Sequence, residues 1–115
     1  MTSFKEQFGN DFASAPIYNM VRMFSNAIVE AKTTEPIVVA HALEGMKIKG
    51  LNGDVEMRKD DHQMIAPLEI THWVKTNGKD LAYDLENTGY SFKSVERVDP
   101  SASTLPSTCK MKRPS

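Results

Sequence analysis

Apolar and polar residues alternate most regularly between Met46 and Arg58. Met46 and Ile48 are interleaved with Lys47 and Lys49, and after Gly50-Leu51-Asn52-Gly53 the residues Val55 and Met57 alternate with Asp54, Glu56 and Arg58. Period two on both sides of an Asn-Gly predicts a β-hairpin. Asn52 and Gly53 stand where a tight turn calls for positive φ. Upstream the period changes: Ile17, Met20, Val21, Phe24, Ala27, Ile28 and Ala31 recur at three and four. That spacing predicts a helix to about Lys32 with one apolar face. Ser14 just before Pro16 suits an N-cap followed by a first-turn proline.

Ser3 to Phe8 is a short helical candidate closed by Gly9-Asn10-Asp11. Thr34 can cap a second helix, with Glu35 and Pro36 in its first turn and Gly45 as its stop. Its segment Ile37 to Glu44 is apolar on nearly all sides and so expects neighbours on more than one face. After the hairpin, the polar knot Arg58-Lys59-Asp60-Asp61-His62-Gln63 precedes a third strand, Pro67 to Lys75. In that strand Leu68, Ile70, His72 and Val74 share one face, and Glu69, Thr71, Trp73 and Lys75 the other. Thr76-Asn77-Gly78-Lys79 is a turn. Asp80 to Gly89 allows one helical turn around Leu81 and Leu85, and Tyr90 to Val98 is a strand candidate ended by Asp99-Pro100. Residues 1–99 therefore read as one folded portion, and 100–115 as a tail or an arm laid on a surface.

Composition narrows the class. The 115 residues, with 40% hydrophobic and 25% charged side chains, suffice for one small domain. A net charge of -1 gives no electrostatic case for nucleic acid or an anionic membrane. The single cysteine, Cys109, cannot form an internal disulfide. No apolar run approaches the roughly 20 residues of a membrane span.

Chemistry-bearing residues are few. Asp60-Asp61-His62 places carboxylates beside an imidazole, which raises a metal site or acid/base chemistry as one reading. Adjacent residues on an extended segment point to opposite sides, however, so at most two of the three converge, and a catalytic zinc takes three protein ligands. His41 and His72 sit in unrelated segments. The alternative is a turn in which Asp60 or Asp61 accepts backbone N–H groups while His62 packs beside it. Cys109 has no base or oxyanion site in its terminal segment. Lys110, Lys112 and Arg113 form too short a basic run to argue for nucleic acid. Ser14 and Ser25 lack a nucleophile elbow, and no phosphate-binding glycine pattern occurs. Nothing in the sequence makes an enzyme or calls for a cofactor.

The order of elements carries more than any single residue. Glu44-Gly45-Met46, the turn at Gly53, Val55-Glu56-Met57-Arg58, Asp61-His62-Gln63 and then Pro67 leading an apolar strand resembles the C-terminal part of a periplasmic solute-binding protein. The subfamily it resembles is type I, leucine/isoleucine/valine-binding, serving ABC transporters for branched-chain amino acids and related amides. Such a receptor has two lobes and several hundred residues, so the resemblance covers about its last third.

The resemblance implies an α/β piece of two to three helices and three to four strands, including the hairpin, with strand direction left open. It implies a small-molecule ligand, an amino acid or amide, an ABC transporter permease as partner, and a periplasmic location for the full-length receptor. Met1-Thr2-Ser3-Phe4-Lys5-Glu6 has none of the features of an export signal. The expectation is that such a signal belonged to an upstream portion. Matching Tyr18-Asn19-Met20-Val21 to the start of the corresponding helix places Phe12 and Ala13 at the cleft edge, as the ligand-binding candidates; Phe12 reads equally as a hydrophobic staple. An exported receptor would also allow Cys109 a partner outside these residues. Because a cleft needs both walls, the chain alone is expected not to bind an amino acid tightly. The second expectation is self-association through exposed apolar faces on Ile37 to Leu43 and the strands, as a remnant without ligand.

Overall fold

The computed structural model describes residues 2–11, 15–108, 110 and 112. Its elements run α1 (Thr2–Phe8), α2 (Ala15–Ala31), α3 (Pro36–Leu43), β1 (Lys47–Gly50), β2 (Gly53–Met57), β3 (Met64–Ile65), β4 (Leu68–Lys75), β5 (Tyr90–Val98) and α4 (Pro100–Ser103). They form two compact units, one from the described residues of 15–67 and 99–115, the other from those of 1–14 and 68–98. All strand pairs are antiparallel.

In the first unit the hairpin forms as the alternation predicts, with Gly50 opposite Gly53 and Leu51-Asn52 as the connecting pair. Only Gly53 takes positive φ, at 120°, where a side chain would be strained. Asn52 does not. Its side chain is used instead to accept a hydrogen bond from Asn19 Nδ2 at 3.0 Å. The strand expected over Pro67 to Lys75 forms as Leu68–Lys75, in a separate sheet with β5, while a short strand that was not expected, Met64–Ile65, pairs with β2.

The core of this unit is Met23, Ile48, Val55 and Met57, with Leu43, Met46, Met64 and Ala66 packed against it. α2 contributes Asn19, Met23 and Ala27, which lie four apart and so share one stripe. Of the predicted apolar face Ala27 is buried and Ile28 and Ala31 are partly so, but Ile17, Met20, Val21 and Phe24 are each about half exposed. A helix buries the face for which the chain supplies a partner, and here the hairpin meets the Asn19 stripe.

α3 starts differently from the Thr34 cap expected. Glu35 is the N-cap and makes no side-chain cap bond, while Thr33 Oγ1 accepts the Glu35 N–H at 3.1 Å. Pro36 takes the first helical position, where a missing N–H costs nothing. Gly45, at φ 75°, turns the chain into β1, and its N–H donates to Met57 O at 2.9 Å. Val39 is buried and Leu43 packs against the core, whereas Ile37 and Val38 keep 38% and 44% of their surface exposed, so the neighbours expected on several faces are present on one side.

In the second unit β4 and β5 pair from Leu68↔Val98 to Lys75↔Tyr90. The register shifts between Ile70 and Thr71, because Ile70 faces Glu96 while Thr71 faces Ser94, leaving Val95 as the extra residue of a bulge. Trp73 packs edge-on against Phe92 at 4.9 Å and stacks on Tyr90 at 6.1 Å. The helical turn expected around Leu81 and Leu85 does not form. Asn77 Oδ1 captures the N–H groups of Lys79 and Leu81, and Glu86 and Asn87 both take left-handed backbone. Asp99, expected to end β5, also caps α4: its Oδ1 accepts the Ser101 N–H at 2.8 Å. That holds its carboxyl below the usual carboxylate range, through the Ser101 hydroxyl first and the Ser101 N–H second.

Candidate functional site

Phe12 and Ala13 lie outside the described residues, as do Ser14 and Cys109. The residue that leads into them is described. Asp11 Oδ2 accepts the Glu86 N–H at 2.5 Å, and Asp11 Oδ1 stands 3.2 Å from Lys5 Nζ. The Glu86 N–H, followed by Lys5, holds the Asp11 carboxyl below its ordinary range. Lys5 also lies 3.7 Å from Asp84, whose other oxygen accepts the Gly89 N–H at 2.8 Å. The approach to residues 12–14 is thus tied at Asp11 to the 84–89 turn of its own unit.

The polar knot closes on itself. Arg58 Nε donates to Asp61 Oδ1 at 2.8 Å and Arg58 Nη2 to Asp61 Oδ2 at 2.5 Å, a two-pronged pair. Asp61 Oδ1 also accepts the Gln63 N–H at 3.1 Å, and Arg58 Nη2 reaches Gln63 Oε1 at 2.6 Å. The guanidinium holds the Asp61 carboxyl well below the usual range, and the Gln63 N–H and the Ser107 hydroxyl act in the same direction. Asp61 in turn pushes Arg58 further up.

Asp60-Asp61-His62 therefore behaves as the turn reading describes, with Asp61 spent on Arg58 and a backbone amide. His62 sits in left-handed backbone, φ 56°, with Nε2 buried 3.8 Å from Glu44 Oε1. Glu44 Oε1 also lies 3.4 Å from His41 Nδ1, and Lys59 Nζ is 4.0 Å from Oε2. This ties the end of α3 to the knot. Among the described residues no three of His, Cys, Asp and Glu converge in a way that could hold a metal ion. His72 belongs to β4, across from Lys93.

Two features escaped the sequence reading. Asn19 is buried, and its Oδ1 accepts the Leu51 N–H at 3.0 Å while Nδ2 donates to Asn52. Its signal was a polar residue on the same helical stripe as Met23 and Ala27. The second is an open pocket of about 440 Å³ on the hairpin's outward side, lined by Lys47, Lys49, Asp54, Glu56, Ile65 and Pro100 among others. Two of its charges pair with each other, Lys47 Nζ lying 3.1 Å from Glu56 Oε2.

Residues 1–79 match a family model described as periplasmic binding protein. Among solved structures, the chain is similar to a leucine-, isoleucine-, valine-, threonine- and alanine-binding protein from Brucella ovis in its closed conformation. The identity is 28% and the TM-score 0.67; the match covers 82% of this chain and 25% of that one. The chain thus spans about a quarter of that protein's length. No curated protein sequence matches.

Proposed function

Since the chain belongs to the periplasmic binding protein family, we propose that it forms part of a receptor for branched-chain or other small amino acids, or related amides. The observation that carries this is the likeness, at 28% identity, to a protein that binds leucine, isoleucine, valine, threonine and alanine. In the whole receptor, hinge closure around the solute would present a closed form to an ABC transporter permease from the periplasmic side. Phe12 and Ala13 are the proposed contacts at the cleft edge. Asp11, the described residue before them, is held to Glu86 and Lys5.

A cleft buries most of a small ligand between two walls, and this chain corresponds to a quarter of the similar receptor. Tight binding is therefore expected only in a receptor with both lobes. The test is a chimaera in which this chain replaces the equivalent quarter of the Brucella ovis protein, titrated calorimetrically with leucine, isoleucine, valine and a short amide. Binding of one of these, weakened by Ala13→Trp without a change in melting temperature, is the expected result. A folded chimaera that binds none of them, or binds equally well after the substitution, overturns the reading.

A second reading is self-association without ligand, favoured by the exposure of Ile17, Met20, Val21 and Phe24 along α2. Sedimentation across a concentration series separates the two: a monomer at high concentration removes it.

A further inference from the structure

The segment after β5 returns to the first unit and is held there in an unusual way. Asp99 starts α4, and the chain then runs on through Leu105 and Ser107 with little apolar adhesion; Leu105 is 76% exposed. A polar contact joins it to the knot. Arg58 Nη1 donates to Leu105 O at 2.5 Å, and the Ser107 hydroxyl is buried. Arg58 thus divides three nitrogens between two tasks: Nε and Nη2 close the 58–63 loop, while Nη1 holds the arm.

We propose that residues 99–108 are a strap fastened to the knot by the Arg58 guanidinium on the Leu105 carbonyl, and that the strap opens while the hairpin stays folded. A weakly apolar segment gains little from burial, so a charge-assisted bond to its backbone helps hold it down. A lysine cannot replace this guanidinium. Its ammonium is a point charge without the fixed fork needed to hold Asp61 through two atoms and a carbonyl through a third. Pro100, at the strap's root, forms part of the wall of the pocket on the outward side of β1 and β2. Opening the strap therefore alters access to that pocket.

Native-state hydrogen exchange on the full chain tests this. In the unaltered protein the hydrogen-bonded amides at the strap's root, Ser101 and Ala102, are expected to exchange faster than those of β1 and β2, showing a separate opening. Arg58→Lys is expected to speed exchange in the strap by roughly tenfold, the size of a lost charge-assisted hydrogen bond, with β1 and β2 unchanged. A strap that exchanges at the same rate as the hairpin in the unaltered protein overturns the proposal. So does a folded Arg58→Lys chain whose strap is as protected as before. If that variant fails to fold, the comparison within the unaltered protein still decides.

Discussion

Asp11 and Glu86, 75 positions apart, meet through a hydrogen bond of 2.5 Å from the Glu86 N–H to Asp11 Oδ2. Glu86 takes left-handed backbone, φ 53°, which turns its amide outward from the local chain and leaves it in need of an acceptor. Asp11 supplies one, and Lys5 at 3.2 Å keeps the carboxylate charged and in place.

Asp11→Ala should therefore loosen the 84–89 turn specifically. By amide exchange, Glu86 and its neighbours should lose protection, while β1 and β2, in the other unit, keep theirs. Asp11→Asn, which retains an acceptor but loses the charge opposite Lys5, should fall between. An Asp11→Ala chain with an unchanged Glu86 amide would show that the turn stands without this bond.

Asn19→Ala should destabilise the first unit by about 1–3 kcal/mol, the cost of leaving a buried partner unpaired. The Leu51 N–H at the hairpin turn would lose its acceptor and Asn52 Oδ1 its donor. Urea unfolding measures the change. A loss of only a few tenths would mean that solvent reaches the turn and replaces Asn19.

Gly50→Ala tests the same contact from the other side. A Cβ on Gly50 would come within 2.7 Å of both Asn19 Nδ2 and Val55 Cγ2, closer than side chains approach. The expected penalty is about 1–3 kcal/mol from overpacking. It should shrink in an Asn19→Ala background, because the two residues share one space. Additive effects in that double-mutant cycle would separate them.

The hairpin was legible because period two and Gly53 both act locally, within the residues that form it. α2 was legible in extent but not in orientation. The spacing of Ile17, Met20, Val21 and Phe24 shows which face can be buried, whereas the buried stripe of Asn19, Met23 and Ala27 depends on where the hairpin lies. β3 was missed because two residues carry no periodicity. Arg58 and Asp61 read as part of a polar knot, but their pairing needs the turn that brings positions three apart face to face. The contact from Arg58 to Leu105 spans 47 positions and leaves no trace in local pattern. Phe12 and Ala13 rested on the resemblance alone, since neither residue type signals ligand binding by itself.

The Arg58–Asp61 pair also sets a direction for the response to acid. Asp61 titrates well below the roughly 3.9 of an unfolded aspartate, chiefly because the guanidinium favours its charged form. Such a group contributes stability that is fully present above about pH 4 and is lost as pH falls through the folded-state value. Asp11 and Asp99 are shifted the same way and add to the trend. Urea unfolding from pH 7 down to about pH 2 should therefore show the unaltered chain losing stability below pH 4. Asp61→Asn should start lower at neutral pH and decline less steeply, so that the two curves approach each other in acid. Parallel curves would mean that Asp61 gains nothing from Arg58 in the folded state, and the two-pronged pair would then have no energetic part in closing the knot.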